Sequence, residues 1–207
     1  MLIAVIGAGA VGKALGLNWL KCGHDVRFGV RNPDDARYVA LDRDRLFKST
    51  ADIPAADVIV IATPWKATEK AIFALGDLSG KIVIDVTTPL AVGPNGLGLA
   101  IGHDTSAGEQ VATWAKGASV YKTLNQTGAE NMASVAGYPR KPVMFVAGDD
   151  VQHKPLIIGL IRELGFEAID AGPLVNARLL EPLAMLWVEL AIKRGQTRDF
   201  AFTVERR

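Results

Sequence analysis

"MLIAVIGAGAVG", residues 1–12, decides how the rest of the chain is read. Residues 2–6 form an apolar, β-branched run that passes directly into Gly7, Gly9 and Gly12, in GxGxxG spacing. The first glycine of such a motif permits a tight turn, and the second lets a pyrophosphate approach the backbone. The third lets the following helix pack close to the strand. A helix is expected over about residues 10–22, its N-terminus offering N–H groups and the positive end of a dipole, with Gly23 closing it. Strand, glycine turn and helix together are the context in which this motif binds a dinucleotide. We therefore expect Gly7, Ala8, Gly9, Ala10, Val11 and Gly12 to cradle one.

Outward from that turn, short β-rich runs alternate with helical patterns, which predicts an α/β fold with a doubly wound parallel sheet. Strand two is expected over residues 25–29, followed by a helix capped by Asn32 with Pro33 at its first position, and a weak strand near 46–48. "DVIVIATP" is a strand buried on both faces, with a helix starting at Pro64 and Trp65. "KIVIDVTTP", "ASVYKTLN" and "PVMFVAGDD" read as further strands. Ser106 and Glu109 have the spacing of a capping box, and Asp150 is placed to cap a helix running to Leu164. We expect residues 1–148 to form a dinucleotide-binding domain and 149–207 a small helical or α+β extension. The last helix, about 176–194, is apolar almost all round, so it is either a central core helix or one shared with a dimer partner.

Composition narrows the function. A chain of 207 residues, 49% hydrophobic and 22% charged, can bury a full core. A formal net charge of +1, with no run of basic residues, gives no nucleic-acid footprint. No apolar run reaches the roughly 20 residues that span a bilayer, and the start lacks the basic region of a signal peptide. One cysteine excludes an internal disulfide and a cysteine-based zinc site, which fits a cytoplasmic protein.

The end of strand two, "GVRN", residues 29–32, carries no acid where an NAD-preferring fold places one for the ribose hydroxyls. A carboxylate there repels a 2′-phosphate, whereas the Arg31 guanidinium can grip one, so NADP(H) is expected. The other strand ends offer Ala62, Thr63 and Pro64, then Thr87, Thr88 and Pro89, then residues 124–127. All are small, hydroxylated, amide or apolar, and none is Lys, His, Asp or Glu. Carbonyl reduction usually needs a proton donor beside the hydride acceptor. A flavin or deazaflavin accepts hydride by its own electronics, and such a crevice suits it better. Trp65 either covers the nicotinamide side or is an ordinary core tryptophan.

Five stretches, "GAGAVG", "GVRNP", "ATPW", "VYKTLNQTGAENM" and "DAGPLVNARLLEPLAMLWVELA", carry a resemblance. The chain resembles the NADPH-dependent coenzyme F420 reductase family over most of its length. That resemblance implies a Rossmann NAD(P)-binding fold, a small C-terminal domain, homodimers, and direct hydride transfer between NADP(H) and a deazaflavin such as coenzyme F420. It places Arg31 on the 2′-phosphate and Thr63, Pro64 and Trp65 along the dinucleotide, and Asn32, Ala62 and Thr88 are expected to bind the cofactor beside them. Leu124, Asn125 and Thr127 fall near the nicotinamide and substrate, with Pro173 and Leu174 on the substrate side. No metal site or catalytic acid is expected. Two alternatives stay open: an imine or ketone reductase related to pyrroline-carboxylate reductase, and a redox sensor that binds NADP(H) without turnover.

Overall fold

The computed structural model describes residues 1–48, 55–94 and 96–207. Its core is one sheet of eight strands: β1 (Leu2–Ile6), β2 (Asp25–Val30), β3 (Leu46–Lys48), β4 (Val58–Ile61), β5 (Ile82–Asp85), β8 (Ser119–Lys122), β9 (Val143–Gly148) and β10 (Glu167–Asp170). Between β5 and β8 stands a small hairpin of β6 (Leu90–Gly93) and β7 (Gly96–Leu99). Across the sheet the order is β10-β9-β8-β5-β4-β1-β2-β3. All neighbours are parallel except β8 and β9, so the last two strands run against the other six. Reversal of strand order falls between β1 and β4, the position where open α/β sheets bind ligands.

Side-chain alternation explains why both faces must be covered. In β4, Val58 and Val60 enter one core while Ile59 and Ile61 enter the other, and all four are fully buried. A period of two across a sheet with no polar face demands helices on each side. One face is covered by α1 (Ala10–Lys21), the short α4 (Ala129–Ala133) and α5 (Lys154–Glu163), through Leu15, Trp19, Met132, Ile157 and Leu160. The Trp19 indole N–H donates to the Leu160 carbonyl at 3.0 Å, pinning α1 to α5. The second face is covered by α2 (Trp65–Ala74) and α3 (Ala107–Trp114), through Ile72 and Val111.

Two local expectations change, and one element appears that was not anticipated. Asn32-Pro33 opens no helix: the Asn32 side-chain oxygen accepts from the Asp34 amide at 3.2 Å, closing a turn before a short 3₁₀ segment at Ala36–Tyr38. Asp150 accepts from the amides of Gln152 and His153, but these belong to a turn, and α5 begins only at Lys154. The β6–β7 hairpin, around Pro94 and a left-handed Gly96, went unread in the sequence. The Ser106 hydroxyl does cap α3, accepting from the Glu109 amide at 3.1 Å.

The last helix, α6 (Ala177–Val188), follows a 3₁₀ turn at Leu174–Asn176, passes through Pro182 and ends in a π-helical turn at Glu189–Lys193. Its buried side includes Ala177, Leu180, Glu181 and Ala184, and it meets α3 through Ala177, beside Gly108, and through Glu181, which bonds the Ala107 and Gly108 amides. Leu179 and Leu186, 66% and 49% exposed, remain on the other side. Beyond it the chain returns to the body. The Phe200 carbonyl accepts from the Trp187 indole at 2.9 Å and from the Asn131 amide at 2.8 Å, and the Phe202 carbonyl accepts from the Val143 amide.

Candidate functional site

A cleft of about 790 Å³ opens over the carboxyl ends of β1, β2 and β4. Its floor is residues 6–10, and its sides are Gly29, Val30 and Arg31 on one flank and Ala62, Thr63 and Pro64 on the other. Gly7 takes a φ of +105°, and a Cβ there would lie 2.5 Å from the Ala62 carbonyl oxygen. At Gly12 a Cβ would fall 1.9 Å from the Gly7 oxygen, so both glycines are required by the protein's own packing. Gly9 differs. A Cβ there would meet no protein atom within 4 Å, which leaves the space above the N-terminus of α1 open to a ligand.

The β2 end of the cleft is cationic. Lys13, Arg31 and Arg37 line it, and Lys70 of α2 lines it from the other side. Arg31 is exposed and forms no ion pair among the described residues. Arg37 is held by Asp35 through two bonds of 3.0 and 2.7 Å. That guanidinium, first among the causes, lowers the Asp35 carboxyl to about 2, with Arg31 contributing a smaller attraction. The Tyr38 ring lies beneath both the Lys13 ammonium and the Arg37 guanidinium, at 5.8 and 5.6 Å. Lys13, Arg37, Tyr38 and Lys70 were not anticipated from the sequence. Their signal was weak because the 3₁₀ turn, and not a regular helix, carries two of them.

Thus Gly7, Ala8, Gly9, Ala10, Arg31, Ala62, Thr63 and Pro64 converge on one cleft. Val11 and Gly12 instead support it from behind, packed toward β1. Asn32 is exposed and spends its side-chain oxygen on the turn. Trp65 is half-buried with its ring 5.2 Å from Trp114, and it packs against the second core. Thr88, Leu124, Asn125 and Thr127 lie further along, at the ends of β5 and β8. Leu124 is fully buried at a φ of +56°, a left-handed conformation rare for leucine. The Asn125 amide reaches the Leu180 carbonyl at 3.5 Å, and the Thr127 hydroxyl accepts from Asn131 at 2.8 Å. Pro173 is exposed at the start of the last helical segment, and Leu174 is buried in the second core.

The strand ends are not free of charged residues. Asp85 ends β5, Lys122 ends β8, and both are 0% exposed. The Lys122 ammonium lies 2.8 Å from Asp85 and 3.1 Å from Glu181 of α6, and donates to the Thr87 carbonyl at 2.6 Å. Glu181 in turn accepts from the amides of Ala107 and Gly108, at 2.9 and 3.0 Å, at the N-terminus of α3. The period of two along β8 turns Lys122 away from Tyr121 and into a sealed ionic cluster beneath the strand ends. Among the described residues no group of three or more His, Cys, Asp or Glu could hold a metal.

Comparison with known proteins bears out the resemblance drawn from the motifs. Residues 2–89 match the family model described as NADP oxidoreductase, coenzyme F420-dependent. The F420-dependent NADP reductase of Methanocaldococcus jannaschii is 28% identical over 93% of each chain, and that of Methanothermobacter marburgensis 29% over 93% of each. A crystal structure from Arthrobacter sp. FB24, assigned only provisionally as an F420-dependent NADP reductase, superposes with a TM-score of 0.89. It is 29% identical and covers 99% of both chains.

Proposed function

We propose that this chain is an oxidoreductase of the F420-dependent NADP reductase family, exchanging hydride between NADP(H) and a deazaflavin of the coenzyme F420 type. The observation that carries the cofactor half is the β2 end of the cleft. A guanidinium with no ion-pair partner among the described residues, Arg31, stands on the rim of a cleft whose floor, at Gly9, is open to a close-lying ligand. The deazaflavin half is supported by the relatives, which match over 93% of the chain and carry that activity in their names.

Residues 7–10 and the α1 N-terminus hold the pyrophosphate through backbone N–H groups. Arg31, aided by Arg37 and Lys13, holds the 2′-phosphate, and Tyr38 lies under the adenosine end. Ala62, Thr63 and Pro64 line the path toward β5 and β8, where Thr88, Leu124, Asn125 and Thr127 border the nicotinamide, with Pro173 and Leu174 toward the acceptor. When bound, NADPH supplies the hydride, which the acceptor ring takes up by its own electronics. The protein's task is then orientation and exclusion of water, with no acid or base required at the cleft surface.

We also read residues 1–148 as the dinucleotide-binding unit and 149–207 as the part that completes the acceptor side and pairs two copies. The exposed apolar side of α6, with Leu179 and Leu186, is the surface we assign to a homodimer. No helix among the described residues is long and apolar enough to cross a membrane, and with a single cysteine the chain suits the cytosol.

Stopped-flow oxidation of NADPH against a deazaflavin, flavin mononucleotide, a ferric chelate and a cyclic imine tests the reading. Rapid single-step oxidation with the deazaflavin is expected. Turnover with the imine alone supports the imine-reductase alternative, and tight NADPH binding with no acceptor oxidised supports the sensor.

A further inference from the structure

A charged trio sealed from solvent is an unusual way to hold a sheet to a helix. Replacing a buried ionic cluster with well-packed apolar side chains is often neutral or stabilising. Stability alone therefore does not account for Lys122, Asp85 and Glu181. What such a cluster adds is direction. The Lys122 ammonium donates to the Asp85 carboxylate and to the Thr87 carbonyl, and its ion pair with Glu181 at 3.1 Å draws α6 to the same point.

The acceptors belong to the end of β5, the loop that follows it, and α6. Thr87, held by its carbonyl to Lys122 and by its amide to the Asp85 carboxylate at 2.9 Å, is the residue before Thr88. Glu181 fixes α6 against the N-terminus of α3, and the neighbouring Leu180 carbonyl receives the Asn125 amide. The Thr123 amide bonds the Asp85 carbonyl at 3.2 Å, which starts the turn through left-handed Leu124. One ammonium thus sets the loop after β5 directly and the loop after β8 through α6.

We propose that Lys122, acting through Asp85, Thr87 and Glu181, is a positioning residue that fixes the spacing of the two loops bordering the nicotinamide. The proposal rests on the placement of the nicotinamide over the ends of β5 and β8. It makes the C-terminal helix part of the hydride-transfer geometry as well as a dimer surface.

Glu181→Gln and the milder Glu181→Asp test it, read by NADPH dissociation constant, by the rise in nicotinamide fluorescence on binding, and by kcat with a deazaflavin. With the β2 end untouched, the dissociation constant should stay within about threefold. The fluorescence rise should fall by at least half, and kcat should drop about tenfold or more for Gln and less for Asp. If both variants keep kcat and the fluorescence rise while only melting earlier, the cluster is purely structural and the proposal is overturned. A parallel loss of affinity and kcat overturns it too. Should neither variant fold, amide exchange on the unaltered protein decides. Thr87 and Thr123 must exchange as slowly as the core strands, and fast exchange there sinks the idea. Because the fluorescence is read without any acceptor, a chain that oxidises NADPH with none defeats the proposed reaction while leaving this test intact.

Discussion

The row of strand ends handles charge in opposite ways at β2 and at β5 and β8. At the β2 end, Arg31, Arg37 and Lys70 are exposed, lying around an open mouth. At the β5 and β8 end, Asp85, Lys122 and Glu181 are at most 1% exposed and satisfy one another. Exposed cations suit a ligand that brings its own charge and leaves again, since solvent covers them between visits. Buried charges cannot wait for a ligand, because an unpaired one is strongly penalised. The first end is therefore built for binding, and the second for holding shape.

Lys122→Met attacks that contrast most directly. Removing the ammonium leaves two buried carboxylates with backbone amides but no counter-charge, and a loss of about 3–5 kcal/mol is expected from urea unfolding. Arg31→Met at the other end should change the same measurement by no more than about 0.5 kcal/mol. Equal losses would erase the distinction.

Between the ends, the glycine turn offers a finer cut. Gly12→Ala forces a Cβ onto the Gly7 oxygen and should cost about 1–3 kcal/mol or more, read from the melting transition. Gly9→Ala should leave folding nearly unchanged, since its Cβ meets only open space, yet weaken NADPH severalfold by isothermal titration. For affinity, Arg31→Glu should weaken NADPH by about tenfold or more and NADH much less, because charge-assisted hydrogen bonds are worth roughly 1.5–3 kcal/mol. An equal response from the two cofactors would break the assignment of this end to the 2′-phosphate.

The smallest expected effect is in pH. The Arg178 guanidinium, beside Glu109, holds that carboxyl below its ordinary 4.5 and ties α6 to α3. A depressed carboxyl stabilises the fold above its unfolded value and loses that contribution as pH falls through its folded one. The melting temperature should begin to fall below 4.5, and Glu109→Gln should flatten the fall. Asp35, held at about 2 by Arg37, should keep its pair well below that pH, so the β2 end changes later.

The same contrast explains what the sequence disclosed. The glycine turn and Arg31 are legible because their meaning is local: a strand, a spacing and a residue type within about thirty positions of one another. The ionic cluster is not. Asp85 and Lys122 are 37 residues apart, and Glu181 comes from a helix whose inward side no periodicity could assign to them. Each looked like an ordinary charged residue until the fold buried it. The β6–β7 hairpin carried a readable sign, Pro94 and Gly96 between two short apolar runs, that the search for a parallel sheet passed over.

One tie near the end of the chain has a practical consequence. The Asn131 amide that holds the Thr127 hydroxyl also holds the Phe200 carbonyl, so the tail is stitched to the loop after β8. Trimming by carboxypeptidase, or an affinity tag fused close behind Phe202, would pull on that stitch and reach the end of β8 from a distance. Kinetic constants from tagged preparations then deserve a check against protein from which the tag has been cleaved.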